Sequence, residues 1–436
     1  MAQQLNNQHP EYKLYLPYWK QIRVFVKGMK DVQKYLQNVT TKNDPQANKR
    51  NFDYKSRAKY TNFPARTRNA LLGAVFRKEP VSELPTELEY LTKNSNGAGK
   101  PLDQTAKHLL TNLIEVGRHG IFTDYGTSAK IVTYSAENIL DWEDDAGVLT
   151  KVILRTAKDE QKHLLIKDGL YIIETYNDAL ELQSSVEPTK ADGSRFDFIP
   201  FVICGSVDNA PDVDDMPLWS IVDVTQGHYQ NSADYEDILR YLIPTPAVTV
   251  PNETWLKEML PNGHYSFGDG SIVPLPVGGQ AVLLQASANQ MHQEAMKHKE
   301  EQLIMLGARI ISGTTGQAET AEAARIRYSS ENSVLDNLTG NGEDAMNLAI
   351  KWCADFEGVD LGDYRYKINR DFFDSKLTAQ EITAQALLLD RQVISIADLR
   401  GNLRKTGYIE SNRTDEDIDK DVEIDSARMT FAPTPQ

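Results

Sequence analysis

Apolar positions recur at three- and four-residue steps in two stretches between Ala286 and Leu338, and a polar break containing glycine separates them. In the first stretch, ASANQMHQEAMKHKEEQLIMLGARII, small or apolar residues fall at Ala288, Met291, Ala295, Leu303 beside Gln302, Leu306 and Ile310. This is a thin stripe on one helix face. Its first half is otherwise Gln, His, Lys and Glu, and the i,i+4 pairs Glu294/His298 and Lys297/Glu301 each add on the order of 0.3 kcal/mol to an exposed helix. A helix this polar on both flanks is expected to protrude from a folded body. The break Ser312-Gly313-Thr314-Thr315-Gly316-Gln317 has two glycines within four residues, which disfavour helix and permit positive φ, so a mobile loop is expected. Thr314 and Gln317 offer a T-x-x-Q capping box and Glu319 and Glu322 suit a helix N-terminus. Ala321, Ala324, Tyr328, Leu335 and Leu338 form the next stripe.

The same reading extends along the chain. Pro17 is placed to start a helix whose stripe is Trp19, Ile22 and Val26, followed after Gly28 by Met29, Val32 and Leu36. A polar linker is expected over 37–50, a helix from about Pro64, and another over Leu102–Val116 with Asp103 as its cap. From Gly120 to Gly205 the period shifts toward two, predicting an antiparallel sheet with longer loops at Asp141–Asp145 and Ser184–Ser194. Pro217 opens a second long helix, PLWSIVDVTQGHYQNSADYEDILRYLI, apolar at both ends and polar in its middle. Between the two long helices, Pro244–Leu284 holds six of the 19 prolines and five glycines. Its strand-like runs Ala247–Val250 and Ile272-Val273, with a short helix capped by Asn252, predict a small α/β knob on two helical legs. Asn341-Gly342 permits a turn before an amphipathic helix closed by Gly358. Lys376–Thr406 reads as two short helices with Ser395 as the cap between them, and the end reads as an acidic stretch and then a frayed one.

Composition narrows the function. The 436 residues carry a formal net charge of -15, which argues against tight, salt-sensitive binding of duplex DNA through a basic patch. Against that balance, Lys49–Lys78 concentrates nine Lys or Arg with the single acid Asp53, a candidate ion-pairing surface for an acidic neighbouring subunit. No apolar run approaches the ~18 residues of a membrane span, and MAQQLNNQHPEY lacks the blocks of a signal peptide, so synthesis in the cytosol is expected. Cys204 and Cys353 are isolated and predict two buried thiols. Gly313-Thr314-Thr315-Gly316 has no G-K-[ST], and His292 and His298 lack metal-site spacing. The alternating acids from Asp415 have Lys420 where a calcium loop needs Gly and Ser426 where it needs Glu. No catalytic constellation, metal site or cofactor is expected, and the chain reads as a non-enzyme.

Four blocks, PFVICG, PLWSIVDVTQGHYQNSADYEDILRYLIPTPAV, KHKEEQLIMLGARIIS and ETAEAARIRYSSENSVL, occur in an order that resembles the portal (head-to-tail connector) proteins of tailed bacteriophages, within a group labelled as a domain of unknown function. The likeness spans about Trp19 to Ile409. It implies an α+β portal fold: residues 1–216 as a wing of helices and antiparallel sheet, 217–243 and 285–311 as stem helices, 244–284 as a clip, 312–318 as a tunnel loop, 319–375 as further wing helices, and 376–436 as a small crown with an acidic tail. It further implies a homo-oligomeric ring, usually a dodecamer, at one capsid vertex in the virion, assembled in the host cytoplasm. Double-stranded DNA would pass non-specifically through the channel, with large terminase, tail adaptor, major capsid and scaffolding proteins as partners and no membrane. On this resemblance Ser312, Gly313, Thr314, Thr315, Gly316 and Gln317 would face DNA, and His292, Lys297 and Lys299 are candidates for the channel side of the stem. Trp255, Asn262 and Tyr265 would belong to the clip surface that meets terminase and adaptors. The competing readings are a scaffold-like coiled coil, which would lack the proline-rich knob and the sheet, and a nucleotidyltransferase built on scattered acids.

Overall fold

The computed structural model describes residues 8–39, 47–126, 128–156, 160–241, 247–250, 254, 273–276, 291–307, 321–370, 372, 379–391, 393–405, 408–409 and 413–430. It divides into two compact units, Met1–Arg370 and Asp371–Gln436. The architecture is mixed, with helices and antiparallel sheet in the larger unit and helices in the smaller.

In the larger unit, α1 spans Pro10–Lys27 and buries Tyr12, Trp19, Ile22, Phe25 and Val26 before Gly28 ends it at φ 68°. It starts two turns earlier than expected, and Pro17 lies inside it. Tertiary contacts hold the early turns: the His9 N–H donates to the Leu140 carbonyl (3.0 Å) and the Tyr12 hydroxyl to that of Glu137 (3.0 Å). Helix α2, Ala47–Arg57, begins within the stretch expected to be linker. In α3, Phe63–Val75, the Asn62 side chain accepts the Ala65 N–H at 3.0 Å. After the short α4 (Tyr90–Lys93) comes α5, Leu102–Val116, the central buried helix, ended by Gly117 at φ 71°. Asp103 does not cap it: Pro101 occupies that position, and the Asp103 carboxylate accepts the hydroxyl of buried Tyr366 at 2.8 Å.

The strands form a three-stranded antiparallel sheet, β2 (Ala129–Ser135), β1 (Arg118–Tyr125), β8 (Phe201–Gly205), and a five-stranded meander in chain order: β3 (Ile139–Asp145), β4 (Val148–Arg155), β5 (Gln161–Lys167), β6 (Leu170–Tyr176), β7 (Leu182–Val186). One expected loop is strand instead, and the other starts three residues later than expected, after Val186. Asp141–Asp145 belongs to β3, because Lys151 on the facing strand holds the carboxylates of Asp141 (2.8 Å) and Glu143 (2.7 Å) and removes the reason such acids avoid strands. Ser184 and Ser185 pair with Thr175 and Glu174.

The long helices follow. Helix α6 is Trp219–Tyr241, β9 (Ala247–Val250) pairs in parallel with β10 (Val273–Pro276), and α7 is Met291–Met305. Helix α8 runs unbroken over 37 residues, Ala321–Glu357, about 55 Å at 1.5 Å per residue. Asn341-Gly342 is therefore not a turn. A Cβ at Gly342 would lie 2.8 Å from Leu110 Cδ2, so the glycine lets α8 and α5 approach closely, while the Asn341 amide donates to the Gly205 carbonyl at 3.0 Å. Gly358, at φ 70°, closes the helix as expected.

The smaller unit contains α9 (Ala379–Asp390), α10 (Ile396–Lys405) and α11 (Asp415–Thr430). Ser395 and Asp398 form a capping box: the Ser395 hydroxyl accepts the Asp398 N–H at 3.1 Å and Asp398 accepts the Ser395 N–H at 3.0 Å. The acidic stretch forms α11. Thr414 accepts the Asp417 N–H at 3.2 Å, acids occupy the positive end of the helix dipole, and Asp419 pairs with Arg400 (2.5 Å), Asp415 with Arg404 and Asp421 with Arg413.

Candidate functional site

The feature with functional promise is the paired leg, α6 with α7, and its seat on the body. Along α6 the buried positions are Ile221, Val222, Thr225, His228, Tyr229, Ser232 and Ala233, one continuous helical stripe. The half of it that reads as polar is buried because α1 to α3 supply partners. Tyr18 packs edge-on to Trp219 (centroids 4.8 Å), Gln21 donates to Gln226 (2.6 Å), and Tyr60 meets Tyr229 edge-on (5.3 Å). Phe63 covers His228 at 5.5 Å, and the Lys59 N–H reaches the Ser232 hydroxyl at 3.3 Å. Farther out, the Tyr54 hydroxyl donates to Asp234 (2.6 Å) and Arg57 to Asp237 (2.6 Å). Burial first, then the Asp234 carboxylate, drives the Tyr54 phenol pKa up, so it remains a donor. Because 54/57 and 234/237 are both three apart and pair in the same sense, α2 runs parallel to α6. The chain then reverses, and 59, 60 and 63 step back down to 232, 229 and 228.

Through Asp237, then, the first leg does not protrude as expected but is clamped to the body. The second leg is the more exposed one. Of α7 only Leu303 is fully buried; Glu300 meets His228 Nε2 at 3.2 Å. A Cβ at Gly227 would lie 2.7 Å from the Lys299 Cε, so the lysine stem crosses α6 at a residue with no side chain.

Two buried polar groups anchor the root of this assembly. Glu115 on α5 pairs with both Arg23 and Arg68 (2.7 Å to Arg68), and Arg23 also reaches Glu137 at 2.9 Å. Burial alone would lower the Arg23 pKa, and Glu137 with Glu115 reverses that and raises it. Arg118, 1% exposed, stacks on the Trp142 ring at 4.1 Å and donates to the carbonyls of Pro211 (2.8 Å) and Asp212 (2.9 Å), tying down the loop that leads into α6. Desolvation pushes its pKa down to about 10, with Glu11, Asp214 and Asp212 acting against the fall.

Of the residues singled out from sequence, His292 and Lys299 are half-buried on α7 and Lys297 is exposed. Ser312, Gly313, Thr314, Thr315, Gly316 and Gln317 lie outside the described residues, as do Trp255, Asn262, Tyr265 and Asn252. The basic segment is partly consumed within the chain, Arg57 by Asp237 and Arg68 by Glu115. Tyr54, Ser232, Asp234 and Asp237 escaped the sequence reading. The available signal was that Thr225, His228, Tyr229 and Ser232 continue the three-and-four spacing of Leu218, Ile221 and Val222. Among the described residues no group of His, Cys, Asp or Glu is arranged to hold a metal ion, and no helix is long and apolar enough to cross a membrane.

The sequence profile of a family described as a domain of unknown function (DUF4055) matches residues 217–357, the span that holds both legs, the segment between them and α8. No curated protein matches the chain. Among solved structures, a chain from the neck of an empty gene transfer agent (GTA) particle is 14% identical, with a TM-score of 0.41 over 79% of this chain and 90% of that one. A chain from the virion of the native GTA particle is 13% identical, with a TM-score of 0.39 over 78% and 89% of the two chains.

Proposed function

We propose that this chain is the subunit of a phage portal, a ring at one capsid vertex through which double-stranded DNA is packaged and ejected, with terminase and then tail adaptors docking in turn. The observation that carries the reading is the leg clamped to the body. A conduit must transmit force between a motor at one end and a shell at the other. A helix held from Trp219 to Asp237 by α1, α2 and α3 is built for that, whereas a scaffold's coiled coil needs no such seat. The order of elements supports it too: body, leg, a segment with a parallel strand pair, second leg, and a long helix that returns through the core.

The charge balance suits the role. Duplex DNA carries a phosphate every ~1.7 Å, so a basic lumen would hold the cargo, while an acidic ring repels it weakly over a screening length of roughly 8 Å and lets it slide. In this reading the protein works without turnover: the isolated chain should not hydrolyse ATP. Electron microscopy of purified protein should show rings with a central hole. A chain that stays monomeric under assembly conditions and forms no ring in heads refutes the proposal. Deleting Thr314–Gln317 should leave rings intact and impair DNA packaging or retention.

A further inference from the structure

Two neighbouring depressions on α8 share Asp344 and Leu348 in their walls and together make a two-part groove, one part on each side of those residues. One end, about 340 Å³, is apolar, floored by Phe201, Leu348 and Trp352 and rimmed by Val148, which is 59% exposed at the tip of the β3–β4 hairpin. The other end, about 540 Å³, is acidic, with Glu343, Asp344, Asp355 and Asp360 against Lys351 and Arg365. Such a groove fits a ligand that is apolar at one end and basic at the other.

The same chain displays that chemistry elsewhere. Helix α2 uses Tyr54 and Arg57 to grip α6, and on its outer side Phe52 stands 72% exposed, one turn from exposed Lys49. Val39, 42% exposed, is held beside it by an N–H bond to Asn51 at 2.9 Å. We propose that the α8 groove receives the Phe52–Lys49 face of α2 from a second copy of this chain, with the aromatic in the apolar end and the lysine toward the acids. Charge selects this occupant: in a protein of net charge -15 the Lys49–Lys78 segment concentrates nine Lys or Arg, and while Arg57 and Arg68 pair within the chain, Lys49 stays exposed, with the chain's own acidic face as its complement. The groove on α8 and the outer side of α2 are different surfaces of the chain, so a contact between them is head-to-tail. On α5, Leu109 and Leu110 face α8, while Asn112 and Glu115 face Arg23 and Arg68 of α1 and α3. At ~100° per residue the two sets point about 140° apart, so α8 and the α1/α3 pair pack on different sides of α5. Heterologous contacts close into rings when the rotation from copy to copy closes.

This inference rests on the ring reading and adds its contact surface. The test is the full-length double variant Phe52→Cys with Leu348→Cys, oxidised after assembly. Native Cys204 and Cys353 are buried and do not compete. A ladder of covalent multimers extending past the dimer is expected with the double variant and with neither single one. Phe52→Ala, which removes an exposed ring, should keep the wild-type melting temperature and weaken association roughly tenfold or more. Assembled protein that gives no ladder, a ladder that ends at the dimer, or Phe52→Ala associating like wild type overturns the proposed contact and leaves the ring reading standing. A wild-type chain that never assembles removes the ring reading itself.

Discussion

The clamp between α2 and the first leg makes a quantitative prediction. Tyr54→Phe deletes a hydrogen bond to a carboxylate, an interaction worth about 1.5–3 kcal/mol. Asp234 is only half-buried and water can replace part of it, so a loss of about 1–2 kcal/mol is expected. Arg57→Ala breaks a 2.6 Å pair whose side chains are 22% and 13% exposed, between the about 0.2–1 kcal/mol of an exposed pair and the 3–5 of breaking a buried one. Arg57 Nε is also buried without a hydrogen-bond partner, and its removal relieves that cost, which again places the loss at about 1–2 kcal/mol. Urea unfolding followed by tryptophan fluorescence suits the measurement, because Trp19, Trp142, Trp219, Trp255 and Trp352 all fall within Met1–Arg370. Protein concentration must be held constant so that assembly does not alter apparent stability. Hydrogen exchange supplies the local readout: amides of 229–237 should lose protection in either variant more than those of α5. If each variant shifts stability by less than about 0.3 kcal/mol and leaves those amides protected, the leg is not held by these contacts and the force-transmission argument fails with them.

Further outcomes are expected elsewhere. Gly117→Ala should cost about 2–4 kcal/mol by urea midpoint with the slope unchanged, since φ there is 71° and a Cβ would run into the Asp215 carbonyl. His119 is buried with neither ring nitrogen hydrogen-bonded, and desolvation holds its pKa well below 6.5. The unfolded chain therefore takes up a proton that the folded chain refuses. Stability should fall by about 1.4 kcal/mol per pH unit from this group as pH drops below about 6.5, and His119→Phe should flatten that slope. Burial raises the thiol pKa of both Cys204 and Cys353, so a disulfide reagent at pH 8 should label the native chain only at its rate of opening and both thiols at once in urea.

Much of the architecture was legible as pattern. The helices over Leu102–Val116 and Ala379–Lys405, the alternation of the sheet and the stops at Gly28 and Gly358 each follow from local periodicity and backbone freedom. Errors clustered where a residue's usual preference was overridden by a distant partner. Pro17 sits within α1 because His9 and Tyr12 are anchored on the Glu137–Leu140 segment, and Asp141 lies in a strand because Lys151 faces it. Much the same holds for the site. The two legs were visible as long stripes, but the clamp was not, since its donors sit about 180 residues from their acceptors.

The amino-acid order alone determined most of the long helices, the alternation of the sheet and the acidic balance of the chain, because these depend on spacing and composition within a few turns. Tertiary structure decided what the ambiguous residues do. Gly342 could break a helix or admit a neighbour, and the proximity of Leu110 makes it the second. Thr225, His228, Tyr229 and Ser232 could face water or a core, and they are buried because Lys59, Tyr60 and Phe63 arrive to meet them. A polar side chain can be buried when a partner answers it, and that partner belongs to another part of the chain.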